Sequence, residues 1–141
     1  MKVVIIGGGS AVWTRNIISD FVHIPALHGS EIVLVDIDEN RLQFVNRLMQ
    51  RISDETRSNL CITSTMDRRT SLIGADYVIV QVAIGGVRIW QSDLDIPWDH
   101  FKIFQTVGDT SGPGGIFRAF RSIPFFLQLA KEMEELCPDA W

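Results

Sequence analysis

KVVIIGGGSAV, residues 2–12, is the stretch whose reading decides the fold. Residues 2–6 are a continuous run rich in β-branched residues, the pattern of a strand buried on both faces of a parallel sheet. Gly7, Gly8 and Gly9 end that run. Ser10 is a reasonable helix N-cap. Val12, Trp13, Ile17, Ile18 and Phe21 then fall at helical spacing, which predicts a helix over 11–22. A strand that turns through glycines directly into a helix is the context of a dinucleotide site. Gly7 permits the tight turn, and Gly9, with no Cβ, lets the backbone approach a pyrophosphate. The helix start at Ser10 and Ala11 offers free N–H groups and a partial positive charge. Val12 stands where a third fingerprint glycine would fall, so a plain glycine-rich turn competes with the nucleotide reading here.

Outward from this unit the alternation continues. EIVLVD (31–36) reads as a second strand, and Asp38 as the cap of a helix over 39–56 with the stripe Leu42, Val45, Met49 and Ile52. LCITST (60–65) is a third strand, and a short helix near 67–73 leads to DYVIVQVAI (76–84), the strongest strand pattern in the chain. Such β-α-β order argues for an α/β fold, a Rossmann-like doubly wound parallel sheet with helices on both faces in three layers. Ligands in such sheets bind at the carboxyl ends of the strands. Asp36 ends the second strand, where a carboxylate accepts from adenosine ribose hydroxyls and repels a 2′-phosphate; NAD is therefore expected over NADP. Residues 87–113 read as irregular. A long helix is expected over 115–136, kinked or restarted at Pro124. The pattern then calls for another strand, so the domain reads as cut at its C-terminal side.

Composition sets the outer bounds. The 141 residues are 46% hydrophobic and 21% charged, which suits one globular domain. A net charge of −4 disfavours nucleic acid as a partner, because phosphate neutralisation needs a basic face. No apolar run is long enough to span a membrane. The N-terminal run reads as a strand rather than a signal peptide, and the protein as cytoplasmic. Cys61 and Cys137 read as free, mostly buried thiols.

The segment GDTSGPGGIFRAFRSIP (108–124) is more specific than the glycine turn. Together with VVIIGGGSA (3–11), IVLVDID (32–38), ADYVIVQVAIGG (75–86), DIP (95–97), QTVGDTSGPGGIFRAFRSIP (105–124) and ELCPDAW (135–141), it resembles glycoside hydrolase family 4. These are the NAD- and metal-dependent α-glucosidases, α-galactosidases and 6-phosphoglycosidases. The pieces cover essentially the whole chain in the family's order. The resemblance implies that residues 1–141 are an NAD-binding domain, with the metal and substrate domain of a longer enzyme absent. It implies oxidation of the sugar at C3, removal of the acidified C2 proton, elimination at C1 and return of the hydride. It further implies an Mn²⁺ ion whose Cys and His ligands, and a tyrosine base, lie beyond residue 141. Cys137 is not the metal cysteine, and Tyr77, inside an expected buried strand, is not the base.

Cofactor contacts are expected from Gly7, Gly9, Ser10, Ala11, Asp36, Gln81, Val82 and Ala83. Asp109 is the candidate catalytic carboxylate, either on sugar hydroxyls or assisting the leaving group, with turn capping as the competing role. Phosphosugar members of the family carry arginines where Ala83 and Trp90 stand here, and losing two guanidiniums removes bidentate phosphate recognition. Unphosphorylated α-glucosides or α-galactosides are therefore the expected substrates. Arg88 is close enough to compensate in part, which keeps a 6-phosphoglycosidase as the alternative. Arg118 and Arg121 read as solvated or salt-bridged. His23, His28 and His100 read as structural, and Trp90 and Trp98 as sugar-stacking, core or interface residues. A homo-oligomer is expected. The competing functions are an NAD-dependent 2-hydroxy-acid dehydrogenase, which gives GDTSGPGG no role, and a non-enzymatic NAD-sensing domain.

Overall fold

The computed structural model describes residues 1–105 and 112–141. Its elements are β1 (Lys2–Ile6), α1 (Ala11–His23), β2 (Glu31–Val35), α2 (Glu39–Thr56), β3 (Cys61–Thr65), α3 (Arg68–Leu72), β4 (Tyr77–Val80), α4 (Gly86–Phe101) and α5 (Pro113–Leu136). They fall into two compact units, Met1–Val82 with Glu132–Trp141, and Ala83–Lys131.

The first unit is built on a four-stranded sheet in the order β3-β2-β1-β4. Every pairing is parallel, with Val4 opposite Val33 on one side and Val78 on the other. The β1–β2–β3 crossovers run one way and the β3–β4 crossover runs back. Right-handed connection then sets α1 and α2 on one face and α3 on the other. The apolar strand runs are explained by what they meet. Val3, Ile5, Ile32 and Leu34 pack in one cluster with Ile18 of α1 and Leu42, Val45 and Met49 of α2. Burying each of the larger side chains contributes roughly 1.5–3 kcal/mol.

Caps fix the helix starts as the sequence suggests. The Asp38 carboxylate accepts from Arg41 N at 3.1 Å and opens α2. Asp67 accepts from Thr70 N at 3.2 Å and also from the Thr70 hydroxyl, opening α3. These bonds, first the one from the hydroxyl, hold the Asp67 carboxyl below its ordinary value. A lowered folded-state value means the cap stabilises at neutral pH and is lost only as pH falls through that value. Carbon NMR of the Asp67 carboxyl is expected to show its midpoint below the ordinary ~3.9. At the C-terminal side, buried Glu132 accepts hydrogen bonds from Arg68 Nε and Nη2, at 2.7 and 2.8 Å. Trp141 N donates to Asp76 O and Trp141 O accepts from Val78 N, the bonding pattern of a parallel neighbour of β4.

Some expectations are corrected here. β4 ends at Val80, so residues 81–84 lie beyond the strand. Tyr77 is 47% exposed, not buried, because it sits at the strand's first position. Cys61 is exposed and only Cys137 is buried, where burial pushes its thiol up; both are free.

The second unit holds α4, which the reading of 87–113 as irregular missed. Gly85, at φ 86°, caps it in a left-handed conformation that suits glycine, and Pro97 lies inside it. α5 begins two residues earlier than expected and runs through Pro124 without restarting. Within this unit Arg121 makes a two-pronged ion pair with the buried Asp93, a bond that raises the guanidinium's value. Gln105 donates to Asp93 O at 2.6 Å and accepts from Gly114 N at 3.1 Å. Among the described residues no helix is long and apolar enough to cross a membrane.

Candidate functional site

The strand order reverses between β1 and β4, and the turn after β1 lies at that switch point, where open α/β sheets bind ligands. The turn is held from below. Gly7 N and Gly8 N both donate to Val35 O, at 2.8 and 2.9 Å, tying it to the end of β2. Gly7 has φ +91°, and a Cβ there would stand 2.7 Å from Gln81 O. Gly8 presses on the sheet: its Cβ would stand 2.8 Å from Leu34 Cβ and 3.0 Å from Leu34 Cα. Close helix–strand packing is thus served by Gly8, which accounts for the tolerance of Val12 at the third fingerprint position.

Gly9 makes room for a side chain as well. A Cβ there would meet Asp36 Oδ2 at 2.7 Å. In the glycine's place, Gly9 N donates to Asp36 Oδ2 at 2.9 Å, and Asp38 N donates to Asp36 Oδ1 at 3.0 Å. Asp36 therefore joins the glycine turn to the start of α2. Each carboxylate oxygen keeps a further acceptor direction for a ligand hydroxyl.

Ser10 occupies the N-cap of α1 but its hydroxyl makes no capping bond, and its backbone N–H goes to Gly7 O at 3.2 Å. The first N–H groups of a helix lack intrahelical acceptors and attract anions. They open on a groove of about 340 Å³ lined by Gly9, Ser10, Ala11, Val12, Arg41, Phe44 and Val45. Arg41 there is paired with Asp38 at 3.2 Å, a largely exposed ion pair of little energetic weight.

Two residues of this site were not recognised from sequence. Thr14 is fully buried; its hydroxyl donates to Gly8 O at 3.1 Å and accepts from Gln81 Nε2 at 2.7 Å. The second, Phe44, contributes the apolar wall of the groove. A hydroxyl on the inward face of α1, one turn past a glycine loop, was the available signal for Thr14. Replacing Thr14 with valine keeps the volume but strips Gly8 O and Gln81 Nε2 of a partner. An unfolding titration is expected to show about 1–3 kcal/mol lost.

Gln81 itself was expected to face the cofactor. Its Nε2 also donates to Gly7 O at 3.0 Å, while its Oε1 is buried with no partner among the described residues. The structure thus brings Gly7, Gly9, Ser10, Ala11, Asp36 and Gln81 to one end of the sheet. Val82 follows Gln81 in the first unit, and Ala83 opens the second. Asp109 lies outside the described residues. Arg121 is salt-bridged, and the Arg118 guanidinium lies 4.7 Å over the Trp90 ring. The rings of His23 and His28 bond the carbonyls of Ser19 and Val22.

A parallel α/β sheet with a glycine turn, a carboxylate at the end of β2 and an open helix N-terminus defines the dinucleotide-fold class. Within that class the chain belongs to the family 4 glycosyl hydrolases, whose family model matches residues 2–141. It is 40% identical to an alpha-galactosidase of Bacillus subtilis (strain 168) over 99% of this chain and 32% of that protein. Among solved structures it matches a 6-phospho-alpha-glucosidase from gut microorganisms in complex with NAD and glucose-6-phosphate. The TM-score is 0.86, with 27% identity over all of this chain and 32% of the other. A second 6-phospho-alpha-glucosidase from gut microorganisms, in complex with NAD and Mn²⁺, matches with a TM-score of 0.85. At 24% identity over 99% of this chain and 31% of that one, it speaks for the fold. The chain spans about a third of the length of the curated relatives it matches.

Proposed function

We propose that residues 1–141 are the NAD-holding domain of a longer glycosidase that cleaves O-glycosidic bonds of unphosphorylated α-glucosides or α-galactosides. The observation that carries this reading is the Asp36 carboxylate bound to the N–H of Gly9, a residue that lines the groove at the open start of α1. In this reading Gly7, Gly9, Ser10 and Ala11 cradle the pyrophosphate. Asp36 accepts from the adenosine ribose hydroxyls, and Gln81, Val82 and Ala83 line the path toward the nicotinamide. The residues present fit the cofactor on their own chemistry: helix N–H groups without intrahelical acceptors at the start of α1 and one carboxylate tied to the glycine turn. When bound, NAD supplies reversible hydride acceptance at the sugar C3, which acidifies the C2 proton and permits elimination at C1. Asp109 holds sugar hydroxyls or assists the leaving group. The tyrosine base and the Cys and His ligands of Mn²⁺ come from the rest of the polypeptide, so the 141 residues alone are inactive. The whole enzyme is read as cytoplasmic and homo-oligomeric.

The absence of phosphate recognition rests on Ala83 and Trp90, and the Arg118 guanidinium is engaged on the Trp90 ring. The test is hydrolysis by the complete polypeptide of aryl α-glucoside, aryl α-galactoside and their 6-phosphates, run in deuterated water with Mn²⁺ and NAD⁺. Cleavage of the unphosphorylated compounds with deuterium appearing at C2 of the product is expected. Cleavage confined to the 6-phosphates would move the assignment to a 6-phosphoglycosidase. A product without deuterium would exclude the elimination route.

A further inference from the structure

Thr14 interrupts the apolar face that α1 turns to the sheet. Thr14 and Ile18, one helical turn apart, are the buried residues of α1, and both are fully covered. Ala11, Val12 and Trp13 before it are exposed, so the side chain that the first turn of α1 buries carries a hydroxyl. A polar residue at a core position points to a function that packing alone does not serve.

Its partners identify that function. The Thr14 hydroxyl donates to Gly8 O at 3.1 Å and accepts from Gln81 Nε2 at 2.7 Å. Gly8 O belongs to the same planar peptide group as Gly9 N, which donates to Asp36 Oδ2 at 2.9 Å. That peptide is therefore held at its oxygen by Thr14 and at its nitrogen by Asp36. The preceding peptide is held in the same way: Gly8 N donates to Val35 O at 2.9 Å, and Gly7 O accepts from Gln81 Nε2 at 3.0 Å. Two acceptors, Gly7 O and Thr14 Oγ1, fix the Gln81 amide with its nitrogen toward the turn. Its oxygen is left buried with no partner among the described residues. Turning the amide over would deprive both acceptors of a donor and set its oxygen against Gly7 O.

We propose that Thr14 is a positioning residue for the cofactor, on the reading that this turn holds NAD. Its hydroxyl fixes the Gly8–Gly9 peptide that carries Gly9 N to Asp36, and through Gln81 it fixes the Gly7–Gly8 peptide as well. With Gly8 O committed to Thr14, that carbonyl is kept from facing a pyrophosphate, whose charge it would repel. Being fully buried, Thr14 does this without touching the nucleotide.

The experiment is calorimetric titration of NAD⁺ into the complete polypeptide and its Thr14→Val and Thr14→Ser variants, at a temperature where circular dichroism shows each fully folded. Thr14→Ala replaces the valine variant where that one does not fold. Thr14→Val is expected to weaken NAD⁺ binding about tenfold, and Thr14→Ser to stay within about threefold of the unsubstituted protein. On an Asp36→Ala background Thr14→Val should cost clearly less than on its own, because both residues hold one peptide. An unchanged affinity in folded Thr14→Val overturns the proposal and leaves the NAD reading intact. So does a serine variant as weak as the valine one, or losses that simply multiply in the double variant. An unsubstituted polypeptide that does not bind NAD⁺ overturns the reading itself, and this proposal with it.

Discussion

Gly8→Val is expected to destabilise the first unit severely. Gly8 has no room above the sheet: its Cβ would stand 2.8 Å from Leu34 Cβ, 3.0 Å from Leu34 Cα and 3.1 Å from Ile5 O. Two of those atoms are backbone of adjacent paired strands and cannot swing aside. Gly8 N is also bonded to Val35 O, so the turn cannot lift without losing that bond. Overpacking usually costs 1–3 kcal/mol, and valine adds two methyl groups beyond the clashing carbon. A loss of about 3 kcal/mol or more is therefore expected, out of roughly 5–15 kcal/mol of total stability. Gly74→Ala is the control. Its φ is +70° but nothing lies within 4 Å of the added carbon, so only backbone strain of about 1–2 kcal/mol applies. Urea midpoints of the two variants in the complete polypeptide are expected to separate clearly; equal midpoints would show that the turn is not pressed on the sheet.

Asp36→Ala is expected to weaken NAD⁺ binding by about 10- to 100-fold, each factor of ten being 1.4 kcal/mol. Two losses combine. The ribose acceptors go, and hydrogen bonds to a charged group contribute about 1.5–3 kcal/mol. The turn also loses its tie, because Asp36 Oδ2 holds Gly9 N and Oδ1 holds Asp38 N. NADP⁺ binding should fall much less, since removing the carboxylate also removes its repulsion of a 2′-phosphate. Calorimetric titration of both nucleotides into the complete polypeptide gives the ratio. A preference for NAD⁺ unchanged by the substitution would remove Asp36 from the cofactor site.

What the sequence revealed, and what it hid, follows from how local each signal is. β1, β2 and α2 were readable to within a residue because strand runs and the Asp38 cap act within a few neighbours. Gly7, Gly9 and Asp36 could be picked out from the sequence as candidates, but the bond between Gly9 and Asp36 could not. Asp36 reaches Gly9 across 27 positions, and spacing alone cannot reveal such a bond. Thr14 escaped for the same reason: a hydroxyl in a helix stripe declares nothing until Gly8 O and Gln81 are seen around it. α4 was missed because Gly85 and Gly86 are breakers by propensity and the stretch after them mixes aromatics and acids before the Gly- and Pro-rich TVGDTSGPGG. Here one glycine serves as a left-handed cap and Pro97 is accommodated within the helix. Tyr77 misled because an apolar strand pattern carries no mark of where the sheet's cover stops.

The claim that this chain holds the cofactor of a glycosidase is tested most directly by hydrolysis with the cofactor withdrawn. The complete polypeptide, stripped of bound nucleotide, is assayed on aryl α-glucoside and aryl α-galactoside with Mn²⁺ and reductant, with and without NAD⁺. Activity that is absent without NAD⁺ and restored by adding it is the predicted result. Activity at an equal rate without NAD⁺, on protein shown free of nucleotide, would contradict the account.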